Sequence, residues 1–127
     1  MKASLQKVLY VDDEPDIREV VELSLSLMPG LTVKTCSSGE EALRSLAEFR
    51  PDVVLLDVMM PGLDGPATLL RMRADLIGKS IPVVFMTAKA LPQEVDRFMS
   101  LGAAGVISKP FDPMQLAQRV QDIWQAV

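Results

Sequence analysis

The amino-acid sequence predicts an α/β fold in which a doubly wound parallel sheet lies between two layers of helices. Continuous apolar runs of strand length are the first observation, because a strand covered on both faces need not alternate. Stretches with helical spacing between these runs are the second, since regular alternation of strand and helix favours parallel pairing with right-handed crossovers. With 127 residues and 49% hydrophobic content, the chain is expected to form one domain at residues 1–127.

Five segments are predicted as strands, and each is followed by a predicted helix. Four of the strands are apolar runs at Lys7 to Val11, Asp52 to Leu56, Ile81 to Met86 and Gly105 to Ser108. The remaining one, at Leu31 to Thr35, is short and mixed in character. Five strand and helix pairs joined by short loops predict a three-layer sandwich with five helices.

Apolar residues at helical spacing predict the helices. The apolar positions are Ile17, Val20, Val21, Leu25 and Met28 in the first helix, Ala42, Leu43 and Leu46 in the second, Ala67, Leu70 and Leu76 in the third, and Leu116, Val120, Ile123, Trp124 and Val127 in the last. The start signals are Ser38 with Glu41 as a capping box, Asp64 before Gly65-Pro66, and Asp112 before Pro113, and the stop signals are Pro29-Gly30 and Gly102.

Polar residues follow the four apolar strands at the point where each strand ends. They are Asp12 with Asp13, then Asp57, Thr87 and Lys109. The carboxyl ends of parallel strands meet at one edge of the sheet, where doubly wound folds bind ligands. Each residue alone has an ordinary structural explanation as a helix cap, a turn former or a solvated lysine. Together they are expected to converge.

Three converging carboxylates are expected to need a cation between them, because they repel one another and raise one another's pKa. Mg²⁺ fits, since it prefers one or two carboxylates and completes its shell with water and phosphate oxygen. Asp57 is then the candidate nucleophile for phosphorus, forming an acyl phosphate. Thr87 would donate to one phosphoryl oxygen and Lys109 would neutralise another.

The composition argues against several classes of function. Thirteen basic and seventeen acidic residues give a net charge of −4, so direct nucleic-acid binding is not expected. The chain contains no histidine, which removes the usual general base and transition-metal ligand. The single Cys36 fits a reducing cytoplasm, and the absence of an apolar stretch of about 20 residues argues against a membrane span.

These motifs resemble the receiver domain of two-component response regulators. The resemblance rests on Asp12-Asp13, Asp57 with Met60-Pro61, Asp64-Gly65, Thr87-Ala88 and Lys109-Pro110-Phe111. It implies a flavodoxin-like sheet with strand order 2-1-3-4-5. It also implies that a histidine kinase or phosphotransfer protein passes a phosphoryl group to Asp57, and that the domain then changes conformation to control an output partner or domain.

The resemblance further implies the ligands of Mg²⁺. Asp13 and Asp57 would bind the ion directly, the backbone carbonyl of Met59 would be a third ligand, and Asp12 would act mainly through bound water. Lys109-Pro110 would be a cis peptide. Such a domain assists its own phosphorylation and dephosphorylation but has no substrate to turn over as an enzyme, and is expected as a monomer or a phosphorylation-dependent dimer.

Two positions depart from the pattern of the family. Val106 stands where receivers often carry Tyr or Phe, which favours a switch based on movement from Thr87 to Leu91 and in the next helix. Met59 offers no strong hydrogen bond to an attacking water, which predicts slow self-dephosphorylation.

Three other functions remain open from the residues. A phosphorylation-independent, receiver-like binding module is one of them. A metal-dependent hydrolase with an aspartyl-phosphate intermediate is the second, although it would want an acid where Met59 stands. A flavodoxin-like cofactor binder is the third, but Asp12 and Asp13 would repel its phosphate.

Overall fold

A computed structural model describes residues 4–127 as five parallel strands and five α-helices. The elements are β1 (Lys7–Val11), α1 (Pro15–Leu25), β2 (Thr32–Cys36), α2 (Gly39–Phe49), β3 (Val53–Asp57), α3 (Gly65–Arg73), a 3₁₀ turn (Gly78–Ser80), β4 (Val83–Thr87), α4 (Pro92–Ser100), β5 (Gly105–Ser108) and α5 (Leu116–Gln125). The sheet order is β2-β1-β3-β4-β5, which confirms the predicted doubly wound α/β class. Within residues 4–127, no helix combines the length and the apolar character that crossing a bilayer requires.

Two hydrophobic cores lie on opposite faces of the sheet. One contains Tyr10 and Leu55 with residues of α1 and α5. The other contains Leu9 and Phe85 with residues of α2, α3 and α4. Because side chains of a strand alternate between faces, each strand supplies both cores, and this explains why the runs are continuously apolar.

The strand bounds differ from the predicted ones at β2, β3 and β4. β3 continues through Asp57 and β4 through Thr87, because the ladder pairs Asp57 with Met86 and Thr87 with Ser108. Ile81 and Pro82 precede β4, since a proline has no N–H for the ladder. β2 runs from Thr32 to Cys36, one residue later than expected. The polar site residues of β3 and β4 are therefore held in the sheet itself.

The predicted apolar face of the third helix is wrong. Leu70 is 74% exposed and Leu76 is 87% exposed, whereas Leu69 and Met72 are buried. α3 ends at Arg73, so Leu76 lies beyond the helix. Successive helical residues point about 100° apart, so choosing Leu70 instead of Leu69 turns the predicted face away from the sheet. In the same way Met28 and Val127 lie beyond the ends of α1 and α5.

Two predicted caps are confirmed and one is wrong. The Ser38 hydroxyl accepts from the Glu41 N–H at 3.1 Å, and the Asp64 carboxylate accepts from the Ala67 N–H at 2.9 Å. α5 instead begins at Leu116, because the Asp112 carboxylate accepts from the Met114 N–H in a turn that precedes the helix. The predicted stop at Gly102 is confirmed by its φ of 105°, which favours glycine.

Candidate functional site

Strand alternation explains which polar side chains meet at the carboxyl edge of the sheet. Asp12, Asp57 and Lys109 each lie two residues beyond a side chain of the core under α1 and α5. Those core side chains are Tyr10, Leu55 and Ile107. Because residues two apart in a strand point the same way, the three polar groups project to the same side. Thr87 lies two residues after Phe85, which belongs to the core under α2, α3 and α4. The Thr87 side chain therefore projects from the opposite face of the sheet.

The three predicted carboxylates form one cluster. Carboxylate oxygens of Asp12, Asp13 and Asp57 all lie within 4.8 Å of one another. Asp12 is fully buried and Asp57 is 5% exposed, while Asp13 is partly exposed. Oxygen ligands so closely spaced, open to solvent on one side, fit a hard divalent cation that keeps part of its water shell. The donor set is therefore suited to Mg²⁺.

Lys109 reaches two of the three carboxylates. Its Nζ donates to Asp12 Oδ2 at 2.9 Å and to Asp57 Oδ1 at 3.1 Å. One ammonium group thus partly neutralises two buried acids, which confirms that the lysine from β5 arrives at the acids from β1 and β3. Since a lysine side chain has a long flexible stem, this contact can be exchanged for another anion at the same place.

Electrostatics at the site disfavour an ionised Asp57. Burial raises the pKa of Asp57; the hydrogen bond from Lys109 opposes this shift, and the charges of Asp12 and Asp13 add to it. Burial alone would lower the pKa of Lys109, but its hydrogen bonds to Asp12 and Asp57 outweigh that effect and raise it. The ammonium therefore stays charged, and the excess negative charge in the cluster favours added positive charge.

Asp12 is anchored by groups that sequence reasoning missed. The Tyr10 hydroxyl donates to Asp12 Oδ2 at 2.7 Å, and the Glu14 N–H donates to Asp12 Oδ1 at 3.0 Å. The Arg18 guanidinium donates to the Asp12 carbonyl at 2.7 Å. Burial raises the pKa of Tyr10, and its hydrogen bond to Asp12 raises it further, so the phenol stays a donor. Tyr10 could have been found as the one hydroxyl in an apolar run, two residues before Asp12.

Thr87 lies at the end of β4 but does not join the acidic cluster through a hydrogen bond. Its hydroxyl accepts from the Lys89 N–H at 3.0 Å. Its carbonyl accepts from the Lys109 N–H at 2.7 Å, which ties the ends of β4 and β5 together. The threonine is therefore at the predicted edge, and its hydroxyl is coupled to the loop that leads into α4.

The loop after Asp57 is fixed by a close backbone approach. The Gly65 N–H donates to the Val58 carbonyl at 3.0 Å. A Cβ on Gly65 would lie 2.6 Å from the Asp57 carbonyl oxygen, so only glycine fits here without a backbone shift. The side chain of Met59 is 80% exposed above this loop. The role of its carbonyl as a metal ligand stays a prediction.

The last strand and its following peptide agree with two features named above. Lys109-Pro110 is a cis peptide, as the resemblance implied. Val106 is partly buried and packs against the core under α2, α3 and α4. It thus occupies its place on β5 as an aliphatic residue, with no ring to rotate.

The sequence is similar to known proteins along most of its length. A family model described as "Response regulator receiver domain" matches residues 8–121. The "Probable transcriptional regulator ycf27" of Guillardia theta is 42% identical over 120 residues, which cover 93% of this chain and 45% of that protein. The "DNA-binding response regulator MtrA" of Mycolicibacterium smegmatis is 36% identical over 121 residues, which cover 95% of this chain and 51% of that protein. The chain spans about half the length of these curated relatives.

Solved structures share the fold. The chemotaxis protein CheY4 of Vibrio cholerae superposes with a TM-score of 0.85 at 32% identity, covering 94% of this chain and 99% of that chain. The receiver domain of the Francisella response regulator 1452 gives a TM-score of 0.84 at 27% identity, covering 95% of this chain and 98% of that chain. The similarity therefore extends over nearly the whole fold.

Proposed function

Because this chain belongs to the response regulator receiver family, we propose that Asp57 is the residue that accepts the phosphoryl group in its two-component signalling. The observation that carries the assignment is the position of Asp57: it is buried at the carboxyl end of β3, beside two carboxylates and within 3.1 Å of the Lys109 ammonium. We take residues 1–127 as one receiver domain, and the family match at residues 8–121 supports this extent.

In the transfer, an Asp57 carboxylate oxygen forms a bond to phosphorus while the phosphorus–nitrogen bond of a phosphohistidine breaks. The imidazole nitrogen keeps the electron pair and takes up a proton. Lys109 moves its contact from the carboxylates to a phosphoryl oxygen, and Thr87 donates to another. Such a domain assists the chemistry of its own phosphorylation and dephosphorylation without turning over a separate substrate.

We assign the metal site to Asp12, Asp13, Asp57 and the backbone carbonyl of Met59. Bound Mg²⁺ would supply charge that offsets repulsion between the carboxylates and the incoming phosphoryl group. Asp13 is the carboxylate on the solvent side of the cluster, where the ion would enter. Asp12 lies on the buried side of the site. The raised pKa of Asp57 fits this assignment, because burial, its chief cause, and the charges of Asp12 and Asp13 all disfavour an ionised carboxylate without a cation.

The switch that follows phosphorylation is assigned to the loop between Thr87 and Leu91. The Thr87 hydroxyl accepts from the Lys89 N–H, so a threonine that turns toward a phosphoryl oxygen releases this backbone contact. α4 begins directly after the loop, at Pro92. Nuclear magnetic resonance spectra with and without a beryllofluoride phosphoryl mimic are expected to differ along residues 89–101, and matching spectra there would contradict the assignment.

The partners follow from the family and from the names of the relatives. We propose a histidine kinase or a phosphotransfer protein as donor, meeting the domain in the cytoplasm, where the buried Cys36 stays a free thiol. Relatives named as transcriptional and DNA-binding regulators point to an output domain or partner that acts on transcription. The net charge of −4 favours an indirect effect of this domain on DNA. We expect a monomer or a phosphorylation-dependent dimer.

The test is the intact mass after incubation with Mg²⁺ and acetyl phosphate. The native chain is expected to gain one phosphoryl group, and the gain should disappear with a chelator or in Asp57→Ala. Asp52→Ala is the matched control, because Asp52 directly precedes the same strand at the end opposite to Asp57. A native chain that binds Mg²⁺ but never gains the mass would favour a phosphorylation-independent binding module.

A further inference from the structure

Tyr10 places a phenol hydroxyl at the buried base of the acidic cluster. The side chain is fully buried in the core under α1 and α5. Its hydroxyl donates to Asp12 Oδ2 at 2.7 Å. A buried phenol needs an acceptor to replace the water it loses, and here that acceptor is a carboxylate of the metal site.

The Asp12 carboxylate has donors that differ in how freely they can leave. Oδ2 accepts from both the Tyr10 hydroxyl and the Lys109 Nζ, at 2.7 and 2.9 Å. Oδ1 accepts from the Glu14 N–H at 3.0 Å. Tyr10 is enclosed in the core and Glu14 contributes a backbone group, whereas Lys109 has a flexible stem and also contacts Asp57. When Lys109 turns to a phosphoryl oxygen, Tyr10 remains as the donor to Oδ2.

We propose that Tyr10 is a positioning residue that holds Asp12 in place for the divalent cation and for the departure of Lys109. This inference rests on the proposed metal site and adds to it the group that orients a carboxylate from behind. Without the phenol, Lys109 would be the remaining donor to Oδ2 among residues 4–127. The ammonium would then leave the carboxylates less readily, and its positive charge would oppose the cation.

Replacing Tyr10 with phenylalanine keeps the ring in the core and removes only the hydroxyl. Groups that orient metal-binding residues from behind commonly change metal affinity by about 10- to 100-fold. Asp12 is assigned to act mainly through bound water, so we expect the smaller effect. Tyr10→Phe should bind Mg²⁺ about tenfold more weakly than the native chain.

The experiment is a calorimetric titration of Mg²⁺ into the native chain, Tyr10→Phe and Thr68→Val. Thr68 is a matched control: it is also fully buried, and its hydroxyl also donates at 2.7 Å, but to the backbone carbonyl of Asp64. Both variants lose one buried hydrogen bond, so both should unfold at lower urea concentration. Weaker Mg²⁺ binding in Tyr10→Phe alone supports the positioning role.

A second measurement uses the native chain and does not depend on the folding of a variant. Tyr10 is the only tyrosine in the sequence, so the tyrosine doublet in the ultraviolet resonance Raman spectrum reports its hydrogen bond without labelling. The doublet should keep the form of a hydrogen-bonding phenol donor through the whole Mg²⁺ titration, because Tyr10 stays bound to Asp12 when the cation enters. A doublet that reports loss of this hydrogen bond at full Mg²⁺ binding would overturn the inference.

The two proposals fail in different ways. If the native chain does not bind Mg²⁺, the metal site itself is wrong, and the role of Tyr10 falls with it. If the native chain binds Mg²⁺ and Tyr10→Phe binds equally well, only the positioning role is overturned. Tyr10 would then be a core residue whose hydroxyl happens to meet a carboxylate.

Discussion

Asp52 directly precedes β3 and Asp57 is its last residue, and their carboxylates have different partners. Asp52 accepts from the backbone N–H groups of Gln6 and Lys7, both at 2.9 Å. Asp57 accepts from the Lys109 ammonium and lies beside two other acids. Backbone donors cannot leave without unfolding the strand, whereas an ammonium on a flexible stem can. A carboxylate whose partners are exchangeable and whose neighbours carry the same charge is better placed to accept a new bond than one held by backbone donors.

Lys7 and Lys109 lie at opposite edges of the sheet and differ in the same way as Asp52 and Asp57. Lys7, at the start of β1, donates its Nζ to the carbonyl of Phe49 at 3.2 Å on an exposed surface. Lys109, after β5, contacts two acids in a partly buried position. A charge in contact with other charges in a dry setting carries far more interaction energy than one in solvent. A change at the carboxyl edge should therefore affect metal binding more than a matched change elsewhere.

The largest difference is expected in metal affinity between Asp13→Ala and Asp52→Asn. Loss of one carboxylate from the cluster should weaken Mg²⁺ binding by about 100-fold, which is about 3 kcal/mol of attraction. Asp52→Asn should bind Mg²⁺ like the native chain. Calorimetric titration measures both, and equal binding by all three proteins would place the metal elsewhere.

A change of opposite sign is expected for Lys109→Met. Without the ammonium, the carboxylates of Asp12 and Asp57 lose a competing positive charge, so Mg²⁺ should bind at least about tenfold more tightly. Lys7→Met is the control and should leave the affinity unchanged. The same titration decides the matter, and weaker binding in Lys109→Met would show that the lysine supports the metal site.

Replacing the carboxylate at each end of β3 should change the free energy of unfolding in opposite directions. Asp57 has a raised pKa, chiefly through burial, so its ionised form destabilises the folded state at neutral pH. Asp57→Asn in metal-free buffer should therefore be more stable at pH 7, by about 1 kcal/mol. Asp52→Asn should be less stable by about 1 to 2 kcal/mol, because it weakens two hydrogen bonds to a charged acceptor.

The pH dependence has a definite sign. A carboxyl group with a raised pKa in the folded state destabilises the protein above that pKa, and this penalty fades as the pH falls toward the unfolded value of about 4. The advantage of Asp57→Asn should therefore shrink on acidification. Urea unfolding at several pH values measures the difference in free energy of unfolding between Asp57→Asn and the native chain. A difference that grows at low pH would contradict the account.

The smallest effect is expected for Met59→Asn, a change at the carboxyl edge of the sheet. An amide two residues after Asp57 can orient an attacking water, so the acyl phosphate should decay at least about threefold faster. Met114→Asn is the control, since Met114 is 77% exposed, compared with 80% for Met59. Decay of the phosphorylated form is followed by intact mass. An unchanged or longer lifetime in Met59→Asn would count against the prediction that Met59 slows dephosphorylation.

Much of the site was predictable because parallel strands bring their carboxyl ends together. Asp12, Asp57 and Lys109 are far apart in sequence, yet the strand runs alone indicate that they meet. The direct contacts of Lys109 and the separate orientation of Thr87 were not predictable, because they depend on which face each side chain takes where its strand ends. One residue of difference in a strand bound reverses that face.

The helices show the same limit. The helical spacing predicts that Leu70 of α3 faces inward, whereas the structure buries Leu69. α5 was predicted to follow Asp112, and it begins at Leu116 after a turn. In α3 the start is predicted correctly, but Leu69, Leu70 and Met72 offer more than one apolar face, so spacing alone does not decide which face is buried. In α5 the local turn hydrogen bonds set the start of the helix. The apolar run alone places Tyr10 in the core, and only its position two residues before Asp12 indicates that its hydroxyl reaches the site.

The central claim, that Asp57 carries the phosphoryl group, is tested most directly by chemical mapping. The native chain is phosphorylated with acetyl phosphate and Mg²⁺, then reduced with borohydride, which converts an aspartyl phosphate to homoserine. Peptide mass spectrometry should find homoserine at position 57, in an amount that follows the Mg²⁺ concentration. Homoserine at Asp12, Asp13 or Asp52, or none despite a confirmed phosphoryl mass gain, would contradict the account.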